Sequence, residues 1–75
     1  MNERLKELIE DINESANVGE SKLTPRNSEI LFDWGWTKAV VAPQGIFLNV
    51  KNTGWAFYEN ETEDEVREIA LRLDQ

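Results

Sequence analysis

Between residues 28 and 59 the chain is broken three times, at Gly35, at Pro43-Gln44-Gly45 and at Asn52-Thr53-Gly54, and each break is only a few residues long. A parallel strand pair needs a crossover of a dozen residues or more, so stretches joined this tightly can pair only with antiparallel neighbours. Between the breaks the hydropathy pattern has a period of two, the mark of a strand. Ile30, Phe32 and Trp34 fall on one parity and Glu29, Leu31 and Asp33 on the other. Thr37, Ala39 and Val41 alternate in the same way with Trp36, Lys38 and Val40. The spacing predicts strands over 28–34, 36–42, 46–51 and 55–59, a four-stranded meander. Pro43 presets the first central position of a type I turn, and Gly45 and Gly54 suit the unusual backbone angles that close such turns.

At both ends of the chain the period changes to that of a helix. Leu5, Leu8, Ile9, Ile12 and Ala16 recur at spacings of three and four, predicting a helix over 2–16 that ends at Asn17 and Gly19. Thr62-Glu63-Asp64-Glu65 is a capping box, in which the threonine hydroxyl and the glutamate carboxylate each satisfy a backbone amide of the other residue. It opens a second helix over 62–74 whose buried stripe is Val66, Ile69, Ala70 and Leu73. Residues 17–27 have no periodicity and read as a long connection, with Leu23 available to pin it to the body. Seventy-five residues make room for one domain. The expected fold is a two-layer α+β domain of order αββββα, with both apolar helix stripes on one face of the antiparallel sheet. The other face would then carry Trp36, Lys38, Phe47, Asn49, Lys51 and Tyr58.

Charge is unevenly placed. The net charge is −7, from 15 acidic and eight basic residues. Residues 1–20 hold six acids and two bases, residues 21–58 two acids and four bases, and residues 59–75 seven acids and two bases. On the first helix Glu3, Glu7, Glu10 and Glu14 lie opposite the apolar stripe, four carboxylates in a row. Glu3 with Glu7 and Glu10 with Glu14 are like-charge pairs four apart, each costing about 0.2–0.5 kcal/mol. The second helix adds Glu61, Asp64, Glu65 and Glu68, with Glu63–Arg67 and Glu68–Arg72 spaced to compensate. Such a surface disfavours direct nucleic-acid binding and favours a larger protein with a basic surface. Its bland alternative is a solvated face that keeps a small chain soluble.

Catalytic chemistry has little to work with. The chain has no cysteine and no histidine, which removes thiolate nucleophiles, the usual zinc ligands and the commonest general base. Glu29 and Asp33 are about 13 Å apart along one strand, too far for a carboxylate pair. Glu61, Glu63 and Asp64 lack the alternating oxygens and central glycine of a calcium loop and read as helix-cap chemistry. No catalytic residue, metal site or cofactor is expected. The triplet Asn60-Glu61-Thr62 matches a glycosylation acceptor, yet the charged start of the chain and its short apolar runs suggest neither a signal peptide nor a membrane span. The expected location is cytoplasmic, with a host cell's cytoplasm included.

Two further surfaces compete with the acidic one. Trp36, Phe47 and Tyr58 with Lys38 and Lys51 have the residue types of a single-strand stacking platform. The same exposed aromatic face would also serve a homodimer. Trp34, Trp36 and Trp55 fall at strand ends or turns, as core supports or as interface anchors. The order helix, strands, helix resembles the double-stranded-RNA-binding domain. That family has a lysine-rich segment at the start of its last helix, where this chain has Glu61-Thr62-Glu63-Asp64-Glu65, so no RNA-binding residue carries over. The leading expectation is a small acidic protein-binding module, an inhibitor or decoy of a nucleic-acid-handling protein of the kind that phages and mobile elements deploy, anti-CRISPR proteins among them. A homo-oligomer and a weak single-strand binder follow.

Overall fold

The computed structural model describes residues 3–16 and 22–75. Its elements are α1 (Glu3–Ser15), β1 (Glu29–Asp33), β2 (Lys38–Ala42), β3 (Gly45–Asn49), β4 (Trp55–Tyr58) and α2 (Glu63–Leu73). The strands form one antiparallel sheet in the order β1-β2-β3-β4, as the short connections require. The expected helix end at Asn17 and Gly19 lies outside the described residues.

The two helices do not share a sheet face. Leu5, Leu8, Ile9 and Ile12 of α1 pack with Val40, Ala42 and Phe47. Val66 and Ala70 of α2 pack with Ala39, Ile46 and Leu48. Successive strand residues point to opposite sides, so these two sets line opposite faces, and the layers run helix, sheet, helix rather than in the expected two. The reason lies in the inner strands. Ala39 to Ala42 and Ile46 to Leu48 are apolar at both parities, the composition of a sheet covered twice.

A shift in the β1–β2 register between Ile30 and Phe32 separates two residues that strict alternation would place together. The extra residue leaves Ile30 on the α1 side and turns Leu31 and Phe32 toward α2.

Local chemistry fixes the ends. The capping box of α2 forms, with the Glu65 amide donating to Thr62 Oγ1 and the Thr62 amide to Glu65 Oε1, both at 3.1 Å. Between β2 and β3 the chain turns over Pro43-Gln44, and Gly45 follows at φ +150°. Between β3 and β4, Lys51 and Asn52 both have positive φ, and the Thr53 amide donates to Val50 O. That pair forms the mirror-image turn whose twist suits a hairpin, so the turn sits one residue earlier than the predicted Asn52-Thr53-Gly54. Leu23 is buried against α1. Asn13 secures it, its side chain donating to Leu23 O at 3.1 Å and accepting from Leu23 N at 3.0 Å.

Candidate functional site

The acidic residues fall into two groups, one on each outer layer. Glu3, Glu7, Glu10 and Glu14 are all exposed on the side of α1 away from the sheet. Arg4 reaches Glu7 at 3.4 Å, and among the described residues Glu3, Glu10 and Glu14 have no ion pair. Asp64, Glu65 and Glu68 are exposed on α2 and Glu61 is half-buried just before it. Arg67 pairs with Asp64 at 3.4 Å rather than with Glu63, and the expected Glu68–Arg72 pair does not form. The sheet stands between the two groups, so they do not add up to one patch as a two-layer fold would have made them.

The proposed aromatic face is likewise divided. Phe47 is buried beneath α1, and Lys38 is buried with its ammonium on Asn52 Oδ1. Tyr58 packs on the α2 side, opposite to Phe47. Lys51 is exposed at the β3–β4 turn, its ammonium 3.4 Å from Gln75 O. Trp36 lies in the β1–β2 connection, 63% exposed. These five residues therefore form no common platform: Phe47 lies beneath α1, Tyr58 is on the opposite face, and Trp36 and Lys51 are in the connections between strands.

The connection that carries Trp36 is held more firmly than its sequence suggests. The Arg4 guanidinium forks onto Asp33, with Nε 2.7 Å from Oδ2 and Nη2 3.3 Å from Oδ1, and Nη2 also donates to Gly35 O. The Gly35 amide donates back to Asp33 Oδ1 at 3.0 Å. The Arg4 hydrogen bond holds the Asp33 carboxyl below the usual carboxylate range, opposed by burial and aided to a lesser degree by the Gly35 amide. The Trp34 amide donates to Thr37 O, and the Asn52 amide to Trp36 O. Trp34 stacks on Phe32 with ring centroids 4.2 Å apart. Two exposed indoles are thus presented by a clamped loop, the preorganised aromatic type common at interface hot spots. Arg4 and Asp33 are 29 positions apart, and no local pattern announces their pairing.

Thr37 anchors the same end of the molecule. Its buried hydroxyl donates to Asp74 Oδ1 at the end of α2 and accepts from the Lys51 amide at 3.1 Å.

Compared with models of protein families, curated proteins and solved structures, the chain has no significant match in any of the three. Function must therefore be argued from its own geometry.

An open groove of about 820 Å³ lies between α1, the start of β1 and the β2–β3 turn, with Leu5, Ile30 and Ala42 in its floor and Arg26 and Glu29 at its rim. Among the described residues no three acidic side chains are placed to hold a metal ion. No described helix is long and apolar enough to cross a membrane. The chemistry on offer is electrostatic: carboxylates facing outward on two sides and a pair of indoles at one end.

Proposed function

We propose that the protein is a small acidic protein-binding module that acts as an inhibitor or decoy of a nucleic-acid-handling protein, and that it does so by entering a basic cleft rather than by lying on a flat surface. The carrying observation is the placement of exposed glutamates on both outer layers of a slab whose principal extents are 32 × 25 × 20 Å. One helix alone is a dilute imitation of a nucleic-acid strand, since carboxylates at α1 spacing recur every ~5.5 Å against ~3.4 Å per phosphate. A two-walled cleft meets both layers at once and sums their attraction. Its field steers the module in, so association is fast and falls with salt.

Partners of this chemistry are host or defence proteins that grip a duplex or a strand, which places the action in the cell where such proteins work. Capture from host lysate with the wild-type chain, read by mass spectrometry at low and high salt, tests the reading. The bound set is expected to be rich in nucleic-acid-binding proteins and to be lost at high salt. Glu7→Lys with Glu10→Lys on one layer, and Asp64→Lys with Glu68→Lys on the other, should each weaken capture. If one pair has no effect, the cleft is wrong. If neither has any, the acidic surface is not the binding surface.

A further inference from the structure

The chain has three tryptophans, and the fold uses two of them. Trp55 packs against the cluster beneath α1, and its Nε1 donates to Asp11 Oδ2 at 2.8 Å. Trp34 stacks on Phe32. Trp36 is more exposed than any other large apolar residue described. Among the described residues its indole makes no hydrogen bond, stacks on no ring and joins neither core cluster. Its backbone is nonetheless fixed. Trp36 O accepts from the Asn52 amide at 2.9 Å, while Gly35 before it is tied by Arg4 and Asp33, and Thr37 after it by Trp34 and Asp74. An idle indole on a fixed backbone loses little freedom when a partner group settles on it.

The charges around Trp36 favour a cation as that group. Arg4 donates through Nη1 to Glu7 Oε2 and through Nη2 to Gly35 O, so Glu7 stands one guanidinium away from the backbone beside Trp36. Arg4 is occupied by Asp33 and Glu7, whereas Glu7 is well exposed and among the described residues its Oε1 has no partner. Glu3 is exposed one turn earlier on α1. At this end of the molecule Glu3, Glu7, Asp33 and Asp74 outnumber Arg4, Lys38 and Lys51. An aromatic face beside surplus negative charge attracts a cation, and a guanidinium fits best: it lies flat on the ring and keeps N–H groups to give to a carboxylate. An apolar side chain on the ring would leave Glu7 unanswered.

We propose that Trp36 is the seat for an arginine side chain of the partner, stacked on the indole with its N–H groups reaching Glu7. The site rests on the basic partner proposed for the acidic layers and names the group recognised there, since proteins that grip phosphates do so largely with arginine. It supplies a point of register that a diffuse acidic layer lacks.

A blocked tri-arginine peptide titrated into the full chain at low salt, followed by proton–nitrogen NMR, tests the site, with blocked tri-citrulline as the uncharged isostere. Tri-arginine is expected to move the Trp36 indole resonance and the Gly35 and Thr37 amides saturably, leaving the indoles of Trp34 and Trp55 nearly still, and tri-citrulline to move none of them. Trp36→Leu, read from the two amides, and Glu7→Gln should each raise the dissociation constant about two- to five-fold. Glu29→Gln, the same change in net charge at the far end of β1, should leave it unchanged. Glu7→Gln and the citrulline control remain informative if Trp36→Leu does not fold. Equal movement with tri-citrulline, no saturable movement at Trp36, or equal losses from Glu7→Gln and Glu29→Gln would each overturn the proposal. Acidic-pair variants that leave lysate capture intact would reject the proposed partner while an arginine-specific response at Trp36 still upholds the site, and a silent Trp36 would reject the site even where capture responds.

Discussion

Replacing Gly45 with alanine is the sharpest single perturbation of this fold. A methyl group built at that position would sit 2.6 Å from Tyr58 O and 2.7 Å from Phe57 Cε1. The first of these neighbours is backbone in the adjacent strand and cannot swing away. Forcing extra volume into a packed site costs about 1–3 kcal/mol. The backbone adds to this, because φ at Gly45 is +150° and strained angles of this kind cost about 1–3 kcal/mol in a residue with a side chain. Together they amount to about 2–6 kcal/mol, against a total stability of roughly 4–11 kcal/mol for a chain of this length. At about 4–8 °C per kcal/mol the midpoint should fall by about 8–48 °C. Gly35→Ala separates the two causes, since φ there is +95° and nothing lies within 4 Å of the added methyl. It carries strain without collision and should lose only about 1–2 kcal/mol. Urea unfolding followed by tryptophan fluorescence measures both. Equal losses from the two variants would refute the close approach of β4 to Gly45.

Other outcomes follow from the packing and the clamp. Asp33→Asn removes the Arg4 fork, and because Arg4 is well exposed the loss at pH 7 should be about 0.5–1 kcal/mol. The folded carboxyl titrates below its unfolded value of about 3.9, so that contribution is whole above this pH and fades as pH falls through the folded value. Wild type and variant should therefore converge in stability at the acid end of a pH series. Asn13→Ala strips both hydrogen bonds from the Leu23 backbone and should cost about 1–3 kcal/mol, with faster amide exchange at Leu23 as the local readout. Ile12→Val and Val66→Ala lie in clusters on opposite sides of the sheet, so their losses in denaturant should add to within about 0.5 kcal/mol in the double variant. A large coupling between them would contradict the three-layer packing.

The elements themselves were readable from residue order. Leucines and isoleucines at spacings of three and four marked α1, Thr62 and Glu65 marked the start of α2, and the short glycine-bearing breaks dictated an antiparallel meander. Leu23 pins the connection before β1, as its isolation among polar residues suggested. The placement of the helices is hidden in β2 and β3, where strict alternation puts Phe47 on the solvated face although runs apolar at both parities call for a cover on both sides. The register shift at Leu31 compounded this, since nothing in Ile30-Leu31-Phe32 distinguishes a regular strand from one that changes face. With the helices apart, the eight carboxylates lie in two groups of four rather than in one patch. The Arg4–Asp33 fork was unreadable for a different reason: it joins charges that no helical or strand period relates.

The sheet between two helices has a dynamic consequence. β2 and β3 are shielded from above and below and from both sides, whereas each helix leans on the sheet and never on the other helix. Amide protons at Val40 and Leu48 can meet solvent only when the whole chain comes apart, so their exchange should report the global free energy of unfolding. Those of α1 and α2 are free to exchange through separate, smaller openings, one helix lifting while the other stays docked.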